Sequence, residues 1–187
     1  TQVGYTGAVT FATVYGASGF TNFEITGNCV VSNGTWTHPA NAGAEVSRLR
    51  VAVGGTFEIG PAGRIDVTGR GYGSSSGPGK GVGSQYGGCH GGRGGLGGGS
   101  VGLTYGSIAS PTNLGSGGSQ TSGGGAIWIT VAGAATNNGL IAATGASTVN
   151  YAGAGGSVWM VAGSLEGSGA IAANGGVGSP GHAGGGR

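Results

Sequence analysis

Apolar and polar positions alternate along three stretches of this chain, and the stretches resemble one another. Phe57 and Ile59, Ile127 and Ile129, and Val158 and Met160 fall on one side of an extended backbone, with Glu58, Trp128 and Trp159 on the other. A period of two is that of a strand, because successive side chains there point to opposite faces. Each stretch opens on a glycine pair, Gly54-Gly55, Gly124-Gly125 or Gly155-Gly156, and the last two pairs lie 31 residues apart. A second short alternation follows each, bringing Ile65 and Val67, Ile141 and Ala143, and Ile171 and Ala173 to one side.

Self-similarity at a fixed spacing marks an array whose units bury their apolar faces against one another. Two short strands per unit, separated by Gly, Asn and Ser, predict an all-β fold: a parallel β-solenoid with equivalent residues stacked in rows. The expected rows are Phe57/Ile127/Val158, Ile59/Ile129/Met160 and Ile65/Ile141/Ile171. The alternative is an antiparallel β-sandwich, since alternation does not set strand direction.

The chain divides into an N-terminal β region or cap, residues 1–53, and a glycine-rich repeat region, residues 54–187, interrupted by an insert at about 70–123. Apolar runs at Val9 to Val14, Phe23 to Ile25, Cys29 to Val31 and Leu49 to Val53 read as strands in the first region. Ser32-Asn33-Gly34-Thr35 predicts a hairpin turn, because Asn-Gly supplies two positive-φ residues. Asn33-Gly34-Thr35 is also a formal glycosylation acceptor.

Glycine supplies 51 of the 187 residues, a level usual in disordered or collagen-like chains. Here 37% of residues are hydrophobic and patterned, which argues for a packed fold. Between Gly71 and Gly102 half the residues are glycine, and Gly88, Gly91, Gly94 and Gly97 recur every three. That period matches polyproline II, in which glycine lets neighbouring backbones approach. A long surface loop is the other reading.

A net charge of +2 from 7 basic and 5 acidic residues is too sparse to suggest nucleic acid as a partner. No apolar run approaches a membrane span, and the first residues lack a signal peptide's pattern. Ending in Gly184-Gly185-Gly186-Arg187, within the glycine pattern, the chain reads as a piece of something larger.

Candidate chemistry is thin. Glu24, Glu45, Glu58, Asp66 and Glu166 are scattered, and only Glu58 and Asp66, with Arg64 nearby, suggest an acid–base pair on one outward side. The equivalents of Asp66 are Ala142 and Ala172, which removes the calcium-binding roll pattern. His38, His90 and His182 follow no metal spacing, and Cys89-His90 lacks two further ligands, so neither metal nor cofactor is expected. Two cysteines, Cys29 and Cys89, are assigned a disulfide, with buried free thiols as the alternative. Stacking the repeats in register makes Trp128 and Trp159 neighbours, either an exposed platform for sugar rings or proteins or a surface covered by the folded-back insert.

Gly-Gly-Ala-Ile-Trp-Ile-Thr (124–130), Gly-Ser-Gly-Ala-Ile-Ala-Ala-Asn-Gly-Gly (167–176) and Gly-Arg-Ile-Asp-Val-Thr-Gly-Arg-Gly (63–71) resemble glycine-rich repeat segments of very large bacterial surface and secreted adhesin-like proteins. The resemblance covers about residues 50–187 and transfers no catalytic residue. It implies extracellular or cell-surface exposure, fibrous arrays and attachment. The expected function is therefore a non-enzymatic structural or adhesive module of an extracellular filament, associating end to end as a homo-polymer. The alternative is a carbohydrate-binding or carbohydrate-cleaving β-helix using Trp128 and Trp159, with Glu58, Arg64 and Asp66 as acid–base groups and cell-surface glycans as partners.

Overall fold

The computed structural model describes residues 4–16, 19–20, 22–179 and 182–186; Arg187 lies outside them. Every regular element among these residues is a strand. The first seven are β1 (Ala8–Thr10), β2 (Thr13–Gly16), β3 (Gly19–Phe20), β4 (Phe23–Ile25), β5 (Cys29–Thr37), β6 (Ser47–Val53) and β7 (Phe57–Asp66). A small hairpin of β8 (Val82–Tyr86) and β9 (Leu96–Ser100) follows. The rest are β10 (Ala126–Val131), β11 (Ala134–Asn137), β12 (Leu140–Ala142), β13 (Ser157–Val161), β14 (Ser164–Glu166) and β15 (Ala170–Ala172).

From β4 onward, leaving out the small hairpin, the chain alternates between two sheets. One contains β4, β6, β10 and β13; the other contains β5, β7, then β11 with β12, then β14 with β15. These strands pair in parallel throughout, which rules out the antiparallel sandwich. Among the described residues antiparallel pairing is confined to β2–β3, β2–β6 and β8–β9. The expected boundary at residue 53 falls between β6 and β7, and both strands are bonded into the ladders that carry the later repeats.

Inward residues of the two sheets form one core of Leu49, Val51, Val53, Phe57, Ile59, Ile65, Ile127, Ile129 and Ile141 with their neighbours. The row Ile65/Ile141/Ile171 is present as expected. The other two rows differ. Ile127 and Val158 stack with Leu49, Ile129 and Met160 stack with Val51, and Phe57 stacks with Cys29 and Ala135. The glycine pairs are not equivalent: Gly54-Gly55 is a corner between β6 and β7, and its structural counterpart is Gly133, whose N–H bonds Gly55 O. Gly124-Gly125 and Gly155-Gly156 instead precede a strand.

Ser32 to Thr35 does not turn back as a hairpin. β5 runs through it, with a register shift between Val31 and Asn33 and Gly34 at φ +76°. The positive φ that Asn-Gly favours is accommodated within a parallel strand here, beside a bulge in which Gly60 and Pro61 of β7 stand opposite Ser32.

Many of the other glycines build a second layer. Residues 152–156 are extended without strand pairing, and their hydrogen bonds repeat every three residues. Ala152 and Gly155 donate to His182 and Gly185, Gly153 and Gly156 donate to Ala146 and Ala143, and Ala154 donates to Ser116. Gly88, Gly176 and Gly124 donate back to the carbonyls of Ala152, Gly153 and Ala154. A backbone bonded to neighbours on several sides with a three-residue period is polyproline II-like packing, possible only where no Cβ intervenes. The expected stretch is displaced, however. Gly88 to Gly97 does not run straight, because His90 N–H bonds Gly92 O in a turn and β9 begins at Leu96.

Candidate functional site

The outward face of the β4–β6–β10–β13 sheet carries a column set by parallel register, Arg50, Trp128 and Trp159. The indoles of Trp128 and Trp159 stack with centroids 4.6 Å apart and planes at 20°. The Arg50 guanidinium lies over the opposite face of Trp128, 4.0 Å from its centroid. All three side chains are half-buried. Both faces of Trp128 are therefore occupied, and the column shows solvent ring edges, with only the outer face of Trp159 uncovered by its partners in the column. This differs from a flat platform, because stacking along the ladder turns the planes perpendicular to the sheet. Beside the column lies a depression of about 470 Å³ lined by Glu24, Ile25, Ala52, Val53, Thr130 and Ala132. Glu24 is its one ionisable group.

Among the described residues no hydrogen bond or ion pair joins Glu58, Arg64 and Asp66 to one another. Glu58 is exposed on the first part of β7, separated by the register shift at Gly60 and Pro61 from Arg64 and Asp66. Asp66 accepts a hydrogen bond from its neighbour Thr68 N–H at 2.9 Å. Arg48 forms an ion pair with Glu45.

Cys29 and Cys89 are free thiols, which corrects the expected disulfide. Cys29 belongs to the apolar core beside Phe57, and burial pushes its thiol pKa up. Cys89 sits in the glycine layer, its Sγ accepting Gly94 N–H at 3.2 Å. The two thiols lie in different layers. Among the described residues no three His, Cys, Asp or Glu side chains converge as metal ligands.

Sequence reasoning gave the histidines no role, and the structure gives two of them one. His38 is fully buried where the sheets meet the glycine layer. Its Nδ1 lies 2.8 Å from Pro39 O and its Nε2 accepts Ala126 N–H at 3.3 Å, so the neutral ring carries its proton on Nδ1. Desolvation, with further opposition from Arg70 and Arg48, lowers its pKa to about 4 against the bond to Pro39. His90 is buried in the glycine layer, Nδ1 2.8 Å from Gly155 O, with the Tyr105 ring 4.7 Å away. Both imidazoles join segments far apart in sequence, a function that spacing along the chain does not reveal.

No known family, curated protein or solved structure matches the chain. No helix of the described residues is long and apolar enough to cross a membrane.

Proposed function

We propose that this chain is a non-enzymatic structural or adhesive module of an extracellular fibre, in which the two parallel ladders are faces of a β-solenoid and copies associate end to end. One observation carries the reading: the core rows run out unfinished at the last tier of strands. Ile65 and Ile141 are 0% exposed, whereas Ile171, next in the same row, is 48% exposed. Ala135 is 1% exposed and its neighbour Leu165 52%. Large apolar side chains in line with a core, and open at its end, are the mark of an interaction surface. The sparse charge and dense glycine suit a fibre, and the scattered carboxylates offer no acid–base pair. Negative-stain electron microscopy of the purified chain tests this: the reading requires elongated particles of uniform width, and isolated compact particles at all concentrations contradict it.

The second reading, a carbohydrate-binding module, keeps one favourable feature in the outer face of Trp159, to which a single sugar ring can stack. A glycan array with Trp159→Ala as control separates it from the first.

A further inference from the structure

We infer that the docking partner is a second copy of this chain, whose β1 adds in parallel to the free edge of β15, with Val9 of the incoming copy over Ile171. This rests on the self-association reading above and adds to it the strands, the register and the direction. Within one chain Val9, Trp36, Ile65, Ile141 and Ile171 form a single column. Val9 begins that column and Ile171 ends it. β1 pairs with β5 and β15 with β12, so among the described residues each has one unpaired side, and these sides lie at opposite ends of the same sheet.

The two edges match in length and position. β1 is Ala8–Thr10 and β15 is Ala170–Ala172, three residues each, and Ala8 and Ala170 head the same column through Thr35, Arg64 and Leu140. Both strands run parallel to every strand between them. A copy added by translation therefore continues the ladder, whereas a copy turned over would meet it antiparallel. Val9 is half-buried and Ile171 half exposed, so contact finishes the core row from both sides.

Charge does not oppose the contact. Residues 4–37 contain one charged side chain, Glu24, and residues 155–176 contain one, Glu166. Glu24 lies in the column of Ala52, Thr130 and Val161 in one sheet; Glu166 lies in that of Val30, Glu58 and Thr136 in the other. Docking in register sets neither carboxylate against the other. Because the two surfaces differ, the contact does not close on itself and repeats into a filament.

Ala8→Cys and Ala170→Cys place thiols at two exposed positions that the register makes neighbours, with little risk to the fold. A short bis-maleimide, which joins two thiolates as thioethers, is added to each variant alone, to their mixture and to the unmodified chain, whose two thiols are buried. Sedimentation of the same samples reports association. Cross-linked species at twice the chain mass in the mixture, absent from either variant alone, are expected. Dimers from one variant alone overturn the direction. Association without cross-linking overturns the register and leaves the self-association reading standing, while no association overturns both.

Discussion

The indole of Trp128 stacks on that of Trp159 one strand away in the same sheet, 4.6 Å between centroids. Arg50 covers the far face of Trp128, so Trp128 has two ring partners in the column and Trp159 has one. Replacing Trp128 by Ala removes a stacking contact worth about 0.5–1.5 kcal/mol and a cation–π contact worth about 0.5–1 kcal/mol, beyond the lost burial. Trp159→Ala removes the first alone. Urea denaturation should therefore rank Trp128→Ala as the more damaging, and the reverse order would show that the column does not act as described.

Ile129 and Ile171 occupy comparable inward positions in the sequence pattern, yet Ile129 is 0% exposed and Ile171 stands at an open end. An aspartate at 129 buries an unpaired charge, which ranks among the few substitutions that destabilise by about 4 kcal/mol or more. The charge of Ile171→Asp reaches water in the isolated chain, so its melting should stay close to the parent's while its self-association is lost. Equal destabilisation of the two variants in the monomer would remove the distinction between core and end.

At Gly153 and Gly184 the glycine layer depends on close approach, not on unusual backbone angles. Gly153 and Gly184 do not have positive φ, yet a Cβ on Gly153 would collide with Ser122 O and one on Gly184 with Gly153 O. A Cβ on Gly43 meets nothing within 4 Å. Gly153→Ala is expected to open the layer, seen as rapid amide hydrogen exchange at Ala152–Gly156, and Gly43→Ala to leave exchange unchanged. Protection of that segment in Gly153→Ala would contradict the packing.

His38 ties folding to pH. Its pKa falls from 6.5 to about 4 on folding, chiefly through desolvation. Between these values the unfolded chain binds more protons, so stability is full above about pH 6.5 and falls as pH drops toward 4. A difference of about 2.5 units corresponds to a loss of about 3 kcal/mol at most. Thermal melts from pH 7 to 4 should show this decline, diminished in His38→Gln. A flat profile would mean that the ring is not held neutral in the fold.

Strand periodicity was legible because it reflects local geometry. Phe57, Ile59, Ile127 and Ile129 face inward as their alternation requires, and the Ile65/Ile141/Ile171 row follows from matching segments. Misreading Gly54-Gly55 as the counterpart of Gly124-Gly125 shifted the other rows, because glycine serves both as a corner and as a packing surface and its letter does not say which. The link of Trp128 to Trp159 followed from repeat register, but Arg50 lies in the N-terminal region, outside the repeats that the sequence reveals. Cys29 and Cys89 could not be placed from sequence, since their separation depends on which layer each segment joins. The bonds of His38 to Ala126 and of His90 to Gly155 span 88 and 65 residues, beyond any local signal.

Nonreducing mass analysis should find two thiols, and native alkylation should label neither until denaturant is added, because both are buried and the Cys29 pKa is raised. A Cys29–Cys89 bond in the folded chain would overturn the separation of the layers.

The most direct test of the proposed end-to-end structural role is sedimentation velocity of the purified chain over a rising concentration series, beside Ile171→Asp. The parent should pass from 17.5 kDa monomer to a ladder of ever longer species without a preferred size, and Ile171→Asp should remain monomeric. A parent that stays monomeric throughout, or that stops at a closed dimer, would contradict the account.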